Sequence, residues 1–539
     1  MNFLEKLKIP LFRDEKILLI LILTLGFFLR IHQINFLLPY FFHPDEELLV
    51  KSALGIVKTG NFHPGVFKYG SLPVYLTVLI YFIFFKISGI SPQGFLHYQH
   101  NFILYYLGRY FSLAAGLAII WLTFRAAKKL FGQRVGLLSA LMVAVCPLAI
   151  ERAVVFNVDS LSVLFVLLAF QSALEVKEQG KWRDYLWGGA FCGLAIATKY
   201  IFIVFIPLGA AHLFYHRSRA GWRKGILDLK IWVSFYLALL VFVLTCPYLI
   251  LDLEGFIQNL FPFFLFHSSP PAFYLKNIIY QRFFYQFLIL FPAILGPTLY
   301  LAGILGLVRL AREKFSAFVL LFSFPFFFLL GGAILMRVPF HMHYYPILPF
   351  MVMVGSYLTL QLWSESAKLK KALSLFLLVT SLIFFLSDIF YSQYRPFFEV
   401  HERLGKWAEE NVRAGEDFLL VGWYFTPATN FWSGDRKIGE QRTLRVVKHN
   451  LQGFDQNFIR RENPDYLAVF YAKSIESDSK LFKTSGYWET LRALLIGRMN
   501  YQISEVIELP RIWGKLVGFM YPEMKDFKFI IFKNMKNPD

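Results

Sequence analysis

The sequence predicts a polytopic α-helical membrane protein of about eleven transmembrane helices with a C-terminal extracytoplasmic α/β domain, and three observations carry that reading. Hydrophobic residues fill 57% of the 539 positions and charged residues only 17%, far less charge than a soluble enzyme of this length carries. Apolar runs of spanning length recur up to residue 391 and then stop. Lys and Arg outnumber Asp and Glu by 55 to 36, for a net charge of +19. They gather in the short links between apolar runs, a pattern of membrane orientation that argues against a nucleic-acid partner.

The runs lie near residues 16–36, 73–89, 102–124, 134–150, 158–176, 184–198, 200–215, 229–250, 284–310, 315–335, 344–363 and 371–391. The first is too long for a signal sequence and lacks a small-residue cleavage pattern, so it is expected to remain as a span. The second is read as an interfacial or re-entrant helix, because the link from Ser88 to Asn101 contains no Lys or Arg. Five basic clusters then share the side of the N-terminus: Arg125/Lys128/Lys129/Arg134, Lys177/Lys181/Arg183, Arg217/Arg219/Arg223/Lys224, Arg309/Arg312/Lys314 and Lys368/Lys370/Lys371. An odd number of spans places the first loop, 37–101, and everything beyond residue 391 on the other side of a plasma (inner) membrane.

Two domains follow: a transmembrane domain, 1–391, and an extracytoplasmic α/β domain, 392–539. In the second, β-like runs at Phe418–Val421, Tyr466–Phe470 and Phe527–Phe532 alternate with helical patterning such as His401–Val412. Cys146, Cys192 and Cys246 lie in apolar runs without metal-ligand spacing, so they are assigned to packing.

The chemistry is sought first in His43-Pro44-Asp45-Glu46-Glu47. Hydrocarbon penalises an ionised carboxylate, by roughly 2.5 to 3.5 kcal/mol on insertion scales, so an acidic cluster beside a span marks a wet surface or a functional cavity. Pro44 suits the first position of a helix and Gly60 the position past its end, which predicts a helix over 44–59 with the acids in its first turn. The plain alternative is that they offset the helix dipole; Glu47, four residues before Lys51, fits it best. Further candidates are Arg109, about two turns into a span, where a cation either faces a cavity or snorkels; Asp159, which either caps its helix or faces a site; and Lys199, between two short apolar runs. Arg337 and His341 lie in a late loop.

An acidic helix followed by the aromatic, proline-bearing entry Phe67-Lys68-Tyr69-Gly70-Ser71-Leu72-Pro73 resembles the first external loop of the GT-C membrane glycosyltransferases. It is most similar to the family-39 group of protein O-mannosyltransferases and lipid A aminoarabinose transferases. The order of further elements is similar too: Gly108-Arg109 with Ser112; Glu151-Arg152 through Asn157-Val158-Asp159; Gly193-Leu194-Ala195-Ile196-Ala197-Thr198-Lys199; and Arg337 with His341, His343, Tyr344, Tyr345 and Pro346. One departure is that many relatives have Lys-Pro-Pro where this chain has Lys68-Tyr69-Gly70, so Lys68 is given no phosphate role.

The resemblance implies an inverting transfer of a sugar from a polyprenyl-phosphate donor to a hydroxyl of a protein, lipid or glycan acceptor. Asp45 is then the general base, and Glu46 orients the acceptor or Asp45. Arg109, Lys199, Arg337 and His341 would bind the donor phosphate. Asp159 would place the acceptor or, with Asp45, hold a divalent metal ion; relatives differ in metal use, and the cofactor stays open. The rival reading is a transporter or flippase for lipid-linked sugars, against which the absence of internal repeats argues; a non-catalytic lipid-binding scaffold is the third.

Overall fold

The structure, a computed structural model, describes residues 14–35, 44–96, 99–219, 221–259, 286–335 and 341–390, and chiefly 403–412, 416–421, 436–438, 442–447, 456–471, 487–508 and 528–535 of the remainder. Contacts divide the chain into two units. One comprises Met1–Phe36, Leu48–Ser269 and Leu275–Ile389; the other comprises Leu37–Glu47, Pro270–Tyr274 and Phe390–Asp539.

In the first unit the apolar runs fold as helices: α1 (Glu15–Ile31), α2 (Pro44–Thr59, whose first turn falls in the second unit), α3 (Leu72–Ser88), α4 (Gln99–Phe131), α5 (Gln133–Val145), α6 (Pro147–Val154), α7 (Val158–Glu178) and α8 (Trp182–Lys199). Then come α9 (Ile206–Arg217), α10 (Trp222–Leu227), α11 (Leu229–Thr245), α12 (Tyr248–Leu251), α13 (Phe291–Leu295), α14 (Pro297–Glu313), α15 (Phe315–Leu335), α16 (Leu348–Ser364) and α17 (Lys368–Phe390). Among the described helices five are long and apolar enough to cross a bilayer, and up to seven if each of two bent pairs makes one span. That is fewer than the twelve apolar runs because some runs fold as short or broken helices. Residues 134–150 bend by 59° at Cys146–Pro147, and 200–215 begin as a 3-10 turn at Phe202–Phe205. The chain is an integral membrane protein, and its helices turn apolar side chains such as Phe82, Ile87 and Leu244 outward.

Helix ends follow local chemistry. Asp14 caps α1 by accepting from Lys16 N at 2.8 Å, Pro44 opens α2, and Gly60 at φ 71° closes it. Successive long helices reverse direction, and ion pairs collect the basic ends. Lys128 Nζ lies 2.5 Å from Glu15, and Lys129 Nζ lies 2.6 and 3.0 Å from Glu175 and Glu178. The opposite end therefore carries the α7 start and the α8 finish. Small residues draw α11 onto α8: a Cβ on Gly189 or Gly193 would lie 2.3 or 2.5 Å from the carbonyl oxygen of Ser234 or Ala238.

The second unit holds a six-stranded sheet of β1 (Asp417–Val421), β2 (Arg436–Ile438), β3 (Arg442–Val447), β4 (Tyr466–Tyr471), β5 (Tyr501–Glu508) and β6 (Lys528–Asn534), in the order β2-β3-β1-β4-β6-β5. β1 pairs in parallel with β3 and β4; the other pairings are antiparallel. Helices α18 (Gln456–Glu462) and α19 (Tyr487–Leu495) accompany it. Leu467, Ala468, Val469, Ile531 and Phe532 are buried.

Candidate active site

The site is assembled where α6 ends and α7 begins. Asn157, not Asp159, caps α7, accepting from Asp159 N at 2.8 Å and Ser160 N at 3.4 Å. The Arg152 carbonyl accepts from Asn157 Nδ2 at 3.0 Å and from Ser160 Oγ at 2.8 Å. The last turn of α6 is thereby tied to the first turn of α7, and the Asp159 side chain is freed from capping.

Its carboxylate meets two cations. Oδ1 accepts from Lys199 Nζ at the last position of α8, and Oδ2 lies 3.5 Å from Arg152 Nη1. Arg152 also pairs with Glu151. The four groups sum to zero charge, which is how a cluster this deep stays affordable in a low-dielectric setting. The Lys199 side chain is 14% exposed, against 2% for Arg152, so Lys199 is the more accessible of the two cations; Glu151, at 17%, is the more exposed of the two carboxylates.

The first loop is fastened to this turn. Tyr200 adopts left-handed backbone at φ 55°, a costly conformation for a bulky residue. Its hydroxyl donates to the carbonyls of Phe67 at 3.2 Å and Tyr69 at 2.9 Å. Gly70 presses so closely on the Ala197 carbonyl that any Cβ would overlap it. Ser71 N donates to Cys246 Sγ at 3.2 Å. Farther along the loop, His63 Nε2 meets Asp252 Oδ2 at 2.8 Å while His63 Nδ1 accepts from Gly65 N at 3.0 Å. The bond from His63, with a second from Gly255 N, holds the Asp252 carboxyl below its ordinary range.

Arg109 is fully buried on α4 and donates from Nη1 to the Ile34 carbonyl at 2.7 Å. It is not a partner of Asp159. Its neighbour Gly108 lies against Phe156, whose ring would be 2.4 Å from an added Cβ, so this turn of α4 packs on the loop that carries Asn157. Asp45, Glu46 and Glu47 occupy the first turn of α2 and are all buried. Arg337 lies outside the described residues; His341 begins a short 3-10 helix, His341–Ile347, but its side chain lies outside them.

The structure thus joins Asp159 to Lys199 and adds Arg152, which the sequence reading had passed over as part of a matching loop. The available signal was a charged Glu-Arg pair inside a run broken by Pro147. The donor set at Asp159 does not fit a divalent metal ion: each oxygen already faces a cation, and an ion would add further positive charge.

Comparisons with known proteins fall on this region. A family model described as dolichyl-phosphate-mannose-protein mannosyltransferase matches residues 107–250. A putative mannosyltransferase, YycA, of Bacillus subtilis (strain 168) is 28% identical over 157 residues, covering 26% of this chain; the match spans only 23% of the length of that relative. Two solved structures resemble most of the chain. ArnT from Cupriavidus metallidurans bound to undecaprenyl phosphate matches with a TM-score of 0.52 at 12% identity, over 97% of this chain and 98% of that one. The oligosaccharyltransferase AglB from Archaeoglobus fulgidus, in complex with an inhibitory peptide and a dolichol-phosphate, matches with a TM-score of 0.53 at 11% identity, over 93% of this chain and 80% of that one. At such identities the likeness is one of fold.

Proposed function

Starting from a chain with the fold of the GT-C membrane glycosyltransferases, we propose that it is an inverting transferase moving a sugar from a polyprenyl-phosphate donor to an acceptor hydroxyl on the extracytoplasmic face of the membrane. The supporting observation is the Arg152–Asp159–Lys199 cluster, with Lys199 the more accessible of its two cations and the first loop fastened beside it.

In the reaction the acceptor oxygen attacks the anomeric carbon as its proton passes to the Asp45 carboxylate. The bond from that carbon to the phosphate oxygen breaks, and polyprenyl phosphate leaves with the electron pair. This leaving group is already a stable anion, so it needs charge stabilisation more than a proton. Lys199 supplies that charge, with Arg109 deeper in the same unit. Glu46 orients Asp45. Asp159, neutralised on both oxygens, is a positioning residue that holds Lys199, and the chemistry is assigned without a metal ion.

Donor affinity tests the phosphate assignment. Lys199→Ala and Arg109→Ala each remove a charged donor, worth about 1.5 to 3 kcal/mol, or roughly ten- to a hundredfold in affinity. The loss should be larger for a polyprenyl phosphate than for an uncharged polyprenol. Unchanged phosphate affinity in folded variants would move the phosphate site elsewhere, with Arg337 and His341 the next pair to test.

A further inference from the structure

A second cluster lies at the other end of α8. Its Tyr185 stands fourteen residues before Lys199, about 21 Å along a helix rising 1.5 Å per residue. His212 and His216, four residues apart on α9, and Asp228, the capping residue of α11, each bring a ligand-capable atom to within 4.8 Å of the others. Asp228 is held on both sides: Oδ1 accepts from Lys230 N at 2.9 Å, and Oδ2 meets His216 Nε2 at 2.9 Å. His212 Nε2 lies 2.8 Å from the Gly225 carbonyl, and its Nδ1 lies 2.5 Å from the Tyr185 hydroxyl. A carbonyl only accepts, so Nε2 of His212 carries the hydrogen and Nδ1 takes the hydrogen of the phenol.

His216 breaks this pattern of satisfied groups. Its Nε2 faces a carboxylate and so carries the hydrogen, which leaves Nδ1 as a bare lone pair, buried and without a hydrogen-bond partner among the described residues. The ligand atom that His216 turns toward Asp228 is Nε2, so an ion shared with Asp228 would take the place of that hydrogen, which would move to Nδ1.

We propose that His212, His216 and Asp228 form a binding site for a divalent transition metal of the zinc class. Two imidazoles and one carboxylate are the donor set such ions take, whereas magnesium and calcium require a shell of oxygens. The fit needs small movements: bonds of about 2.0 to 2.1 Å imply ligand separations near 3.3 Å in a tetrahedron. The closest pair opens by a few tenths of an ångström and the widest closes. Whichever nitrogen of His212 binds the ion, the other keeps a partner, Tyr185 or Gly225, which supplies the outer hydrogen bond that metal-bound histidines use. The ion would pin α9 to the start of α11 and, through Tyr185, to α8, far from the cluster at Lys199.

The test uses the full-length protein in detergent, stripped with chelator and titrated with Zn²⁺, and with Co²⁺ for its visible spectrum. The expected result is one tightly bound equivalent, a rise in melting temperature, and a cobalt spectrum of low-symmetry nitrogen and oxygen ligation. His216→Ala and Asp228→Asn should each weaken that equivalent at least tenfold and abolish the melting shift. Should His216→Ala not fold, His212→Gln provides the same readout. A stripped protein that takes up no stoichiometric ion, or folded variants that bind with undiminished affinity, would overturn the proposal.

Discussion

Lys199, the last residue of α8, gives its ammonium to Oδ1 of Asp159, forty residues earlier in the first turn of α7. Asp159 is buried and Lys199 half-buried, and Arg152 stands on the other oxygen. The relationship is asymmetric. Asp159→Asn would leave Lys199 without its carboxylate and Arg152 with Glu151 alone, and removing one partner of such a group costs about 3 to 5 kcal/mol. Lys199→Ala should cost less, because Arg152 still neutralises Asp159. Chemical unfolding of the two variants reads the order, and the double variant should be more stable than Asp159→Asn alone. Equal losses would mean that the three side chains do not act as one group.

Asp45 is separated from its neighbours by chemistry rather than by burial, since Asp45, Glu46 and Glu47 are all buried in one helical turn. If Asp45 takes the acceptor proton, Asp45→Asn should lower turnover by about 10² or more, the range for loss of a general base, with donor affinity retained. Glu47→Gln should be mild. Similar losses in both variants would assign the turn to helix-dipole stabilisation instead.

Sidedness has its own test. The three native cysteines are buried, so single cysteines placed at exposed positions report alone. Asn61→Cys should react with a membrane-impermeant thiol reagent from outside the cell, and Ser218→Cys, beside Arg217 and Arg219, only after the membrane is opened. The reverse pattern would place the candidate site on the cytoplasmic face.

Hydropathy made the helices legible, because each apolar run had to be buried in lipid or protein, and Pro44 and Gly60 marked both ends of α2. In the sheet, the strands seen in the sequence, β1, β4 and β6, are the inner apolar ones. The missed strands β2 and β5 are its edges, while missed β3 is one strand in from an edge, as β6 is, but carries Arg442 and Arg445. Arg436-Lys437, Arg442, Arg445, Glu505 and Glu508 break their apolar pattern, as charge on outer strands commonly does. Asp159 and Lys199 were each legible as charges beside spans. Their pairing was not, because it depends on α7 and α8 returning to the same end of the bundle, and Arg152 was hidden in a helix of eight residues.

The His63–Asp252 contact carries a pH dependence of known sign. Asp252 is held below its ordinary value by the bond from His63 and then by that from Gly255. A depressed carboxyl stabilises the fold above its unfolded value and loses that contribution as pH falls through the folded one. Melting temperatures of the wild type and Asp252→Asn should therefore differ at neutral pH and converge in acid, below the usual carboxylate range. A gap that widens on acidification would reverse the assignment.

The account rests on bond cleavage at a lipid phosphate, and the most direct measurement is the release of polyprenyl phosphate from a sugar-labelled polyprenyl-phosphate donor by the purified protein in liposomes supplied with acceptor extract. The wild type should release the lipid phosphate in step with transfer of label to acceptor, and Asp45→Asn should release about a hundredfold less. Donor that crosses the bilayer with its sugar still attached, equally well in both proteins, would contradict the account and identify a transporter.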